Sequence, residues 1–352
     1  MNVFGRVLVL YCSAAVLLGG CSNLQQPADE VPVTGPPARL AGSAHRATSS
    51  QNTLIYAFPG AYNVSGRGTV WKRGIILGYP SGNEVARFLA PIRPSAACTD
   101  NQGDVFVAGY NGAPFEKTTA VIEKYAFGAS SPSASVSAGT GDPFRCAVDN
   151  TTGNIAVVLQ DVGVTSLAVL PNFQGPPTTY KCRAEYAYIP GIAYDSSGDL
   201  FCLTRNAYGN RYFLSELASG STSFDPVLLN LGSRVRMATD LQWDGTYLAV
   251  EAIDYGRGKN MSYWPKRIYR LSVAGSHAKV VGTIRFAGFD GEDASASIAS
   301  DRGIMIAPRG SLSFPHRAIS VWNYPAGGKL LARLHAGIPV HLTTVAAPAS
   351  SP

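Results

Sequence analysis

Arginine, tyrosine or carboxylate side chains occur in five of six connecting segments, at 93–97, 139–145, 184–191, 233–240 and 290–297, and the sixth, at 336–341, ends in His341. Arginine with tyrosine suits an anionic or sugar-like ligand, because a guanidinium group makes forked hydrogen bonds and an aromatic ring stacks. Carboxylates in the same segments would instead hold a divalent cation. The alternative is that these residues form a solvent-exposed surface, on which opposite charges pair with one another and bind no ligand. The candidate ligand-binding residues are Arg93, Asp142, Arg145, Tyr186, Tyr188, Arg234, Arg236, Asp240, Asp290, Glu292, Asp293 and His341.

Familiar catalytic motifs are absent from the sequence. It contains no G-x-S-x-G, H-E-x-x-H or C-x-x-C motif, no P-loop and no EF-hand loop. Its histidines are scattered singly, which is more typical of structural or exposed residues than of metal ligands. The candidates for holding a divalent cation are Asp240, Glu292 and Asp293. Apart from such a cation no cofactor is predicted, and no catalytic residue is assigned.

One pattern recurs about every 50 residues: an apolar strand, an aspartate, a tight turn with glycine and a second apolar strand. It is clearest in AACTDNQGDVFVAG, CAVDNTTGNIAVV and GIAYDSSGDLFCL, and weaker copies follow. The aspartate can accept hydrogen bonds from backbone amides two residues on, and glycine supplies the positive φ of a tight hairpin. The aspartates of the five copies are Asp100, Asp149, Asp195, Asp244 and Asp301.

Hairpins between these turns, at 75–90, 122–138 and 319–335, predict outer strands, so that each repeat supplies four strands. The strands at the N-terminal end lack an inner strand before them, whereas VHLTTVA at 340–346 has no strand after it. Joining the C-terminal strand to the N-terminal blade predicts an all-β fold: a six-bladed β-propeller with four-stranded blades. Such a closed ring leaves only short, protected sheet edges. A β-sandwich with extra strands is the alternative.

The segments PGIAYDSSGDLFCL (190–203) and ISVWNYPAGGKLLARL (319–334) resemble the repeats of six-bladed NHL-type propellers and of the wider sugar-lactonase-like superfamily. The resemblance covers about residues 53–346. It implies an architecture rather than an activity, since one fold hosts many functions. The lactonase group carries an early Glu-Gly-Pro-x-Trp motif whose glutamate binds metal, and this chain lacks that motif.

The predicted body contains four cysteines: Cys98, Cys146, Cys182 and Cys202. An oxidising compartment permits disulfides, and four cysteines allow three pairings. Because Cys98 and Cys146 lie just before the aspartate turns of successive inner strands, we favour Cys98–Cys146 with Cys182–Cys202. The alternative is that some are buried free thiols, which pack like small hydrophobic side chains.

The first 21 residues predict an export signal. Arg6 precedes an apolar run at 7–18, which is too short to span the roughly 30 Å of membrane hydrocarbon. The run ends in LGGC at 18–21, which resembles the lipobox of bacterial lipoproteins. The resemblance implies cleavage before Cys21 and acylation of its thiol by palmitate-type chains, which anchor the protein to the membrane. An ordinary secretory signal with a chance cysteine is the alternative.

Ser22, rather than aspartate, follows the lipobox, and this favours an outer-membrane lipoprotein facing the periplasm. We expect a disordered tether over 22–52, because that segment is rich in Gln, Pro, Ala, Ser and Thr and lacks hydrophobic periodicity. Residues 53–346 would then form the propeller and 347–352 a flexible tail. No second membrane span is expected.

The charge of the chain narrows the range of partners. Charged residues make up 15% of the chain and the net charge is +6, with no basic run of five or more, so nucleic acid is not an expected partner. We expect a membrane-anchored, extracytoplasmic binding module for a glycan, an anionic small ligand or an envelope protein. In a propeller the six connecting segments would crowd around one mouth of the central channel. Two alternatives stay open: a metal-dependent hydrolase or lactonase with its site at this channel mouth, and a structural part of an envelope assembly.

Overall fold

The computed structural model describes residues 53–59, 73–111, 119–161, 164–182, 188–206, 211–255, 264–290, 295–309 and 317–348. The predicted export signal, Cys21 and the predicted tether lie outside these residues. Almost all regular structure is β-strand, with short 3₁₀ turns at Pro171–Phe173 and Ser300–Arg302. None of the described helical turns has the length or apolar character that crossing a membrane requires.

Four of the sheets contain four antiparallel strands each. The first has the order β24-β1-β2-β3, and so combines strands from opposite ends of the sequence. Its strands are β1 (Leu54–Phe58), β2 (Arg73–Gly78), β3 (Glu84–Leu89) and β24 (Leu342–Ala346). The second contains β4 (Arg93–Thr99), β5 (Val105–Asn111), β6 (Thr119–Tyr125) and β7 (Ala134–Thr140). The third contains β8 (Asp142–Val148), β9 (Ile155–Asp161), β10 (Val164–Leu170) and β11 (Thr178–Tyr180).

A fifth sheet has eight strands, in the order β12-β13-β14-β15-β19-β18-β17-β16. One half is β12 (Tyr188–Tyr194), β13 (Leu200–Arg205), β14 (Tyr212–Leu217) and β15 (Asp225–Leu229). The other is β16 (Val235–Trp243), β17 (Leu248–Asp254), β18 (Pro265–Ala274) and β19 (His277–Asp290). The remaining four-stranded sheet is β20 (Ser297–Ala299), β21 (Ile304–Pro308), β22 (Ala318–Asn323) and β23 (Leu330–His335).

The sheets are arranged as in a propeller, which confirms the all-β prediction, but their hydrogen bonding does not divide them into six separate blades. The outermost strands β15 and β19 pair in parallel at Leu228↔His277 and Leu229↔Ala278. These two contacts join two groups of four strands into one eight-stranded sheet. Nothing in the local sequence pattern of β15 or β19 signals this pairing between outer edges.

The aspartate turns form as predicted at four of the five positions. In the turn between β12 and β13, Asp195 Oδ1 accepts hydrogen bonds from the amides of Ser197 and Asp199, at 2.8 and 3.0 Å. Gly198 in this turn has a φ of 83°, which suits glycine. Asp301 differs: it lies in a 3₁₀ turn and pairs with Arg302 at 3.0 Å.

The hydrophobic core consists of clusters between successive groups of four strands. One joins Ala108 and Ile122 of the second sheet to Val157 and Ala168 of the third. The second strands are the most buried, because they are covered on both faces: every residue of β17 is buried, whereas only one of the six residues of the outer strand β3 is. Each sheet is therefore held on both sides by its neighbours, with the inner strands facing a common centre.

Candidate functional site

Six strands, each the first of its group of four, line a central cavity of about 190 Å³. These inner strands are β4, β8, β12, β16, β20 and β24. We call the end at which they begin the channel mouth, and the end that carries the aspartate turns the opposite end. Lining side chains, one from each strand, are Ser95, Arg145, Ile192, Asp240, Ser297 and Thr343.

Irregularities in the inner strands position the two charged groups of the channel. In β8 the register shifts between Pro143 and Arg145, and in β16 it shifts between Ala238 and Asp240. Similar shifts occur near the mouth ends of β4 and β12. A β-bulge re-aims the side chain that follows it and is common beside functional sites. Here the shifts immediately precede the charged residues that line the channel.

Arg145 connects several of the strands that line the channel. Its Nε donates to the Pro190 carbonyl at 3.0 Å, and its Nη2 donates to the Thr239 carbonyl at 2.8 Å and to the Ser295 hydroxyl at 3.0 Å. Its Nε also lies 3.2 Å from Asp240 Oδ1 in an ion pair. One side chain therefore links β8 to β12, to β16 and to the segment before β20.

Asp240 is buried beside Arg145. Its carboxylate accepts a hydrogen bond from the Leu241 amide at 2.8 Å and one from Gln242 Nε2 at 3.3 Å. Burial, helped by the nearby Glu251, raises the pKa of Asp240 to about 6 against the lowering effects of Arg145 and the two hydrogen bonds. The carboxyl group therefore changes its protonation state just below neutral pH.

A second buried ion pair lies behind the channel wall. Glu251 accepts hydrogen bonds from Thr239 Oγ1 at 2.7 Å, from Lys266 Nζ at 2.8 Å and from the Ala296 amide at 2.7 Å. Both members of the Lys266–Glu251 pair are almost completely buried. Because its oxygens are occupied, this carboxylate supports the geometry around Thr239 and Ala296 and is not open to a ligand.

Arg93, the first residue of β4, is in a different situation. The residue is 7% exposed, yet within the described structure its Nε and Nη1 atoms have no hydrogen-bond partner. Its guanidinium carbon lies 5.3 Å from the centre of the Tyr110 ring, which faces it across the pairing of β4 with β5. Buried polar groups without a partner are uncommon and costly. The guanidinium group therefore has donors to offer to a bound acceptor.

Two more unpartnered polar atoms lie on the neighbouring inner strand. Over the described residues, His341 Nε2, just before β24, and Thr343 Oγ1, within it, have no hydrogen-bond partner. β24 is in contact with β4, and Thr343 lines the same cavity as Ser95 of β4. Burial lowers the pKa of His341, so that its ring is uncharged at neutral pH. The beginnings of two adjacent inner strands thus carry polar groups that can bind a ligand.

Tyr188, at the mouth end of β12, lies between aromatic and cationic neighbours. Its ring centre is 5.6 Å from that of Phe144, and the guanidinium carbon of Arg205 lies 5.0 Å from it. Burial raises the pKa of Tyr188, so its hydroxyl stays protonated. Arg205 was not among the sequence candidates, since it ends a strand outside the six connecting segments.

The other sequence candidates are distributed around the mouth. Arg234 and Arg236 are exposed and do not line the central cavity, and Arg236 lies 5.7 Å from the Tyr255 ring centre. Asp142 is exposed and Asp290 is half-buried. The structure therefore brings Arg145 and Asp240 together, whereas Tyr186, Glu292 and Asp293 lie outside the described residues.

Several residues that shape the site were not predicted. They are Tyr110, Gln242, Glu251, Lys266, Ser295 and Thr343. The sequence does indicate a structural role for Glu251, because a carboxylate within the apolar strand LAVEAID needs a buried cationic or hydrogen-bonding partner. Nothing in the sequence identifies Lys266 as that partner.

Metal ligands are not grouped in the described part of the chain, which contains no cluster of three or more His, Cys, Asp or Glu side chains able to hold a metal ion. Of the three candidate ligands, Asp240 is the one described, and it is paired with Arg145. Binding a cation there would require this ion pair to break.

Two disulfides cross-link neighbouring groups of strands. Cys98 of β4 is bonded to Cys146 of β8, with a Cα–Cα distance of 5.8 Å. Cys182, shortly after β11, is bonded to Cys202 of β13, with a Cα–Cα distance of 6.1 Å. Both Cα–Cα distances lie in the ordinary range for a disulfide. The Cys98–Cys146 bond lies beside the central cavity, which both cysteines line.

Comparison with known proteins identifies the fold. No protein-family model matches the sequence, and no curated protein does either. A chain of the nidogen/laminin complex matches the structure with a TM-score of 0.55 and 12% identity, over 84% of this chain and 98% of that one. The fold is that of a β-propeller. TolB from Acinetobacter baumannii matches this propeller with a TM-score of 0.54 and 8% identity, over 84% of this chain and 66% of TolB.

Proposed function

We propose that the protein is an exported, lipid-anchored β-propeller that binds a small anionic ligand at its channel mouth. The observation that carries this proposal is Arg93, a nearly buried guanidinium group whose Nε and Nη1 have no partner in the described structure. An arginine fork matches the two oxygens of a carboxylate or a phosphate, and charge-assisted hydrogen bonds are stronger than neutral ones.

The neighbouring groups suit the same ligand. Neutral His341 can donate or accept through Nε2, and Thr343 can donate through its hydroxyl, so both can bind the polar part of an anion. Tyr110 supports the arginine from below through a cation–π contact. Arg145, by contrast, is already paired with Asp240. Ligand recognition is therefore assigned to Arg93, and Arg145 holds the channel together.

The anion site can be tested on purified protein with two anions, inorganic phosphate and D-glucuronate. D-glucose, the uncharged analogue of glucuronate, is the control ligand. Titration calorimetry should detect binding of at least one of the two anions and none of glucose. Arg93→Gln should abolish anion binding, whereas Arg87→Gln, which removes an exposed arginine paired with Glu84, should leave it unchanged. Absence of binding by both anions, or equal binding by Arg93→Gln, would refute the proposal.

We also propose that the eight-stranded sheet represents two blades, which gives six blades in a ring closed by β24. Residues of its two halves, among them Leu203 and Val227 of one and Leu241 and Val250 of the other, form a single hydrophobic cluster. Such packing is expected of blades facing each other, since neighbours within one flat sheet do not bury their faces together. An experimental structure with these eight strands in one continuous plane would contradict this assignment.

The proposed anchor rests on the lipobox resemblance at 18–21, and Ser22 after the lipobox favours the periplasmic side of the outer membrane. Two or more acyl chains on Cys21 would hold it there stably. Cys21→Ser should move the protein from the membrane fraction to the soluble fraction and abolish incorporation of labelled palmitate. Unchanged membrane fractionation of the variant would exclude the lipid anchor.

A further inference from the structure

A groove of about 540 Å³ lies at the opposite end from the channel mouth, between the sheet β4–β7 and the sheet β8–β11. It is lined by the aspartate turns of both sheets, the start of β7 and the residues that follow β10. None of these residues takes part in the proposed anion site. The groove and the proposed anion site therefore share no described lining residue.

Carboxamide side chains dominate the polar lining of this groove: Asn101, Gln102, Asn150, Asn172 and Gln174. Three of them take part in hydrogen bonds within the groove. The backbone amide of Asn101 donates to Asn150 Oδ1 at 2.8 Å, and Gln102 Nε2 donates to Asn101 Oδ1 at 3.2 Å. A carboxamide carries an acceptor and two donors, so it can bind the hydroxyl groups of an uncharged ligand.

The charged residues of the groove are already compensated. Asp100 accepts hydrogen bonds from the amides of Gln102 and Asp104, both at 2.9 Å. Lys124 pairs with Asp104 at 2.8 Å and lies 5.3 Å from the centre of the Phe106 ring. Asp149, the third charged residue of the described lining, accepts hydrogen bonds from the Thr151 backbone amide at 2.8 Å and from the Thr151 hydroxyl at 2.7 Å. Each charged group in this described lining thus already has a hydrogen-bond or ion-pair partner within the protein, which disfavours an ionic ligand.

An unusual backbone conformation places an aromatic ring beside the carboxamides. Asn172 and Phe173 have φ values of 46° and 55°, in the left-handed region that phenylalanine rarely adopts. The Phe173 ring packs edge-on against Phe106, with ring centres 5.4 Å apart, and the Asn172 amide donates to Asn154 Oδ1 at 3.0 Å. Backbone strain of this kind concentrates at ligand-binding positions.

We propose that this groove binds an uncharged glycan chain. A sugar ring has apolar C–H faces and hydroxyl edges, and the groove combines an aromatic ring at Phe173 with carboxamides at Asn150 and Gln174. The proposed ligand is thus defined by its chemistry: a neutral oligosaccharide, several sugar units long, that lies across two sheets. An anionic ligand belongs to the channel mouth and a neutral one to this groove.

Titration calorimetry with maltohexaose, cellohexaose and the fully N-acetylated chitin hexamer, hexa-N-acetylchitohexaose, tests the proposal on the full propeller. We expect at least one of these neutral oligosaccharides to bind, and the double variant Asn150→Ala/Gln174→Ala to weaken that binding at least about tenfold. Gln160→Ala removes an exposed glutamine near the channel mouth and is the matched control, which should bind as the unaltered protein does. Failure of all three oligosaccharides to bind would overturn the proposal.

A second variant separates folding from binding. Asn172→Gly keeps the left-handed conformation available without strain, so the protein should fold at least as well as before. The variant removes one carboxamide and loosens the segment that holds Phe173, and we expect a severalfold loss of oligosaccharide affinity. Unchanged affinity in both this and the double variant would refute the site. Arg93→Gln should retain oligosaccharide binding, so the two proposals can fail separately.

Discussion

The Arg145 guanidinium pairs with the Asp240 carboxylate, Nε to Oδ1, at 3.2 Å, although their strands β8 and β16 are separated by β12. The pair therefore spans three neighbouring inner strands, and Arg145 also donates to the Pro190 carbonyl on the strand between them. An ion pair in this position fixes the relative placement of the inner strands. It also satisfies a carboxylate that is buried at the centre of the propeller.

Arg145→Ala should strongly destabilise the propeller, because it leaves the buried Asp240 carboxylate without its cationic partner. Removing one member of a buried pair costs about 3–5 kcal/mol. Urea unfolding followed by tryptophan fluorescence measures the loss. Arg87→Ala removes an exposed arginine that pairs with Glu84 and serves as the control, with little expected change. Similar stabilities of the two variants would show that Arg145 is not a structural hub.

The protonation of Asp240 should make stability depend on pH. Burial raises its pKa from 3.8 to about 6 in the folded state, so the folded protein binds this proton more tightly than the unfolded chain. The resulting stabilisation is fully present below about pH 4 and is lost as the pH rises through about 6. The free energy of unfolding, relative to that of Asp240→Asn, should therefore fall over this range and then level off. A difference that is constant with pH would contradict the pKa assignment.

The sequence predicts those features that depend on short stretches of chain. The turn at Asp195 was predictable because its carboxylate and the amides it binds lie within four residues of one another. The pairing of β15 with β19 was not, because it depends on where twisted sheets bring their outer edges together. For Arg93, the sequence marked a position on the mouth but could not show that its guanidinium group is buried and unpartnered.

The two disulfides should contribute differently to stability. The Cys98–Cys146 bond closes a loop with a sequence separation of 48 and the Cys182–Cys202 bond one of 20, so the first should restrict the unfolded chain more. Each is expected to contribute roughly 3–4 kcal/mol. Double Cys→Ala variants of each pair, compared by urea unfolding, measure these contributions. Alkylation of any of the four cysteines in the unreduced, denatured protein would contradict the pairing.

Replacing Arg93 with a hydrophobic residue should separate ligand binding from stability. Arg93→Met removes a buried charge that lacks hydrogen-bond partners for Nε and Nη1 in the described structure, while keeping much of the side-chain volume next to Tyr110. Exchanging buried charges for apolar groups is often neutral or stabilising. We expect an unchanged or higher melting temperature without ligand, and no response to phosphate or glucuronate. A large loss of stability would mean that Arg93 is a structural residue.

Deleting residues 339–352 should destabilise the entire propeller. β24 pairs with all five residues of β1, from Leu54↔Ala346 to Phe58↔Leu342, and its Val345 and Ala346 are buried. Without β24, the edge of β1 would be unpaired and the apolar surface covered by Val345 would be exposed to water, which costs at least about 3 kcal/mol. Deleting only 349–352 is the control, since it removes no residue of β24. If thermal melting shows the longer deletion to be as stable as the shorter one, β24 does not hold the first sheet together, and the propeller does not depend on joining the two ends of its chain.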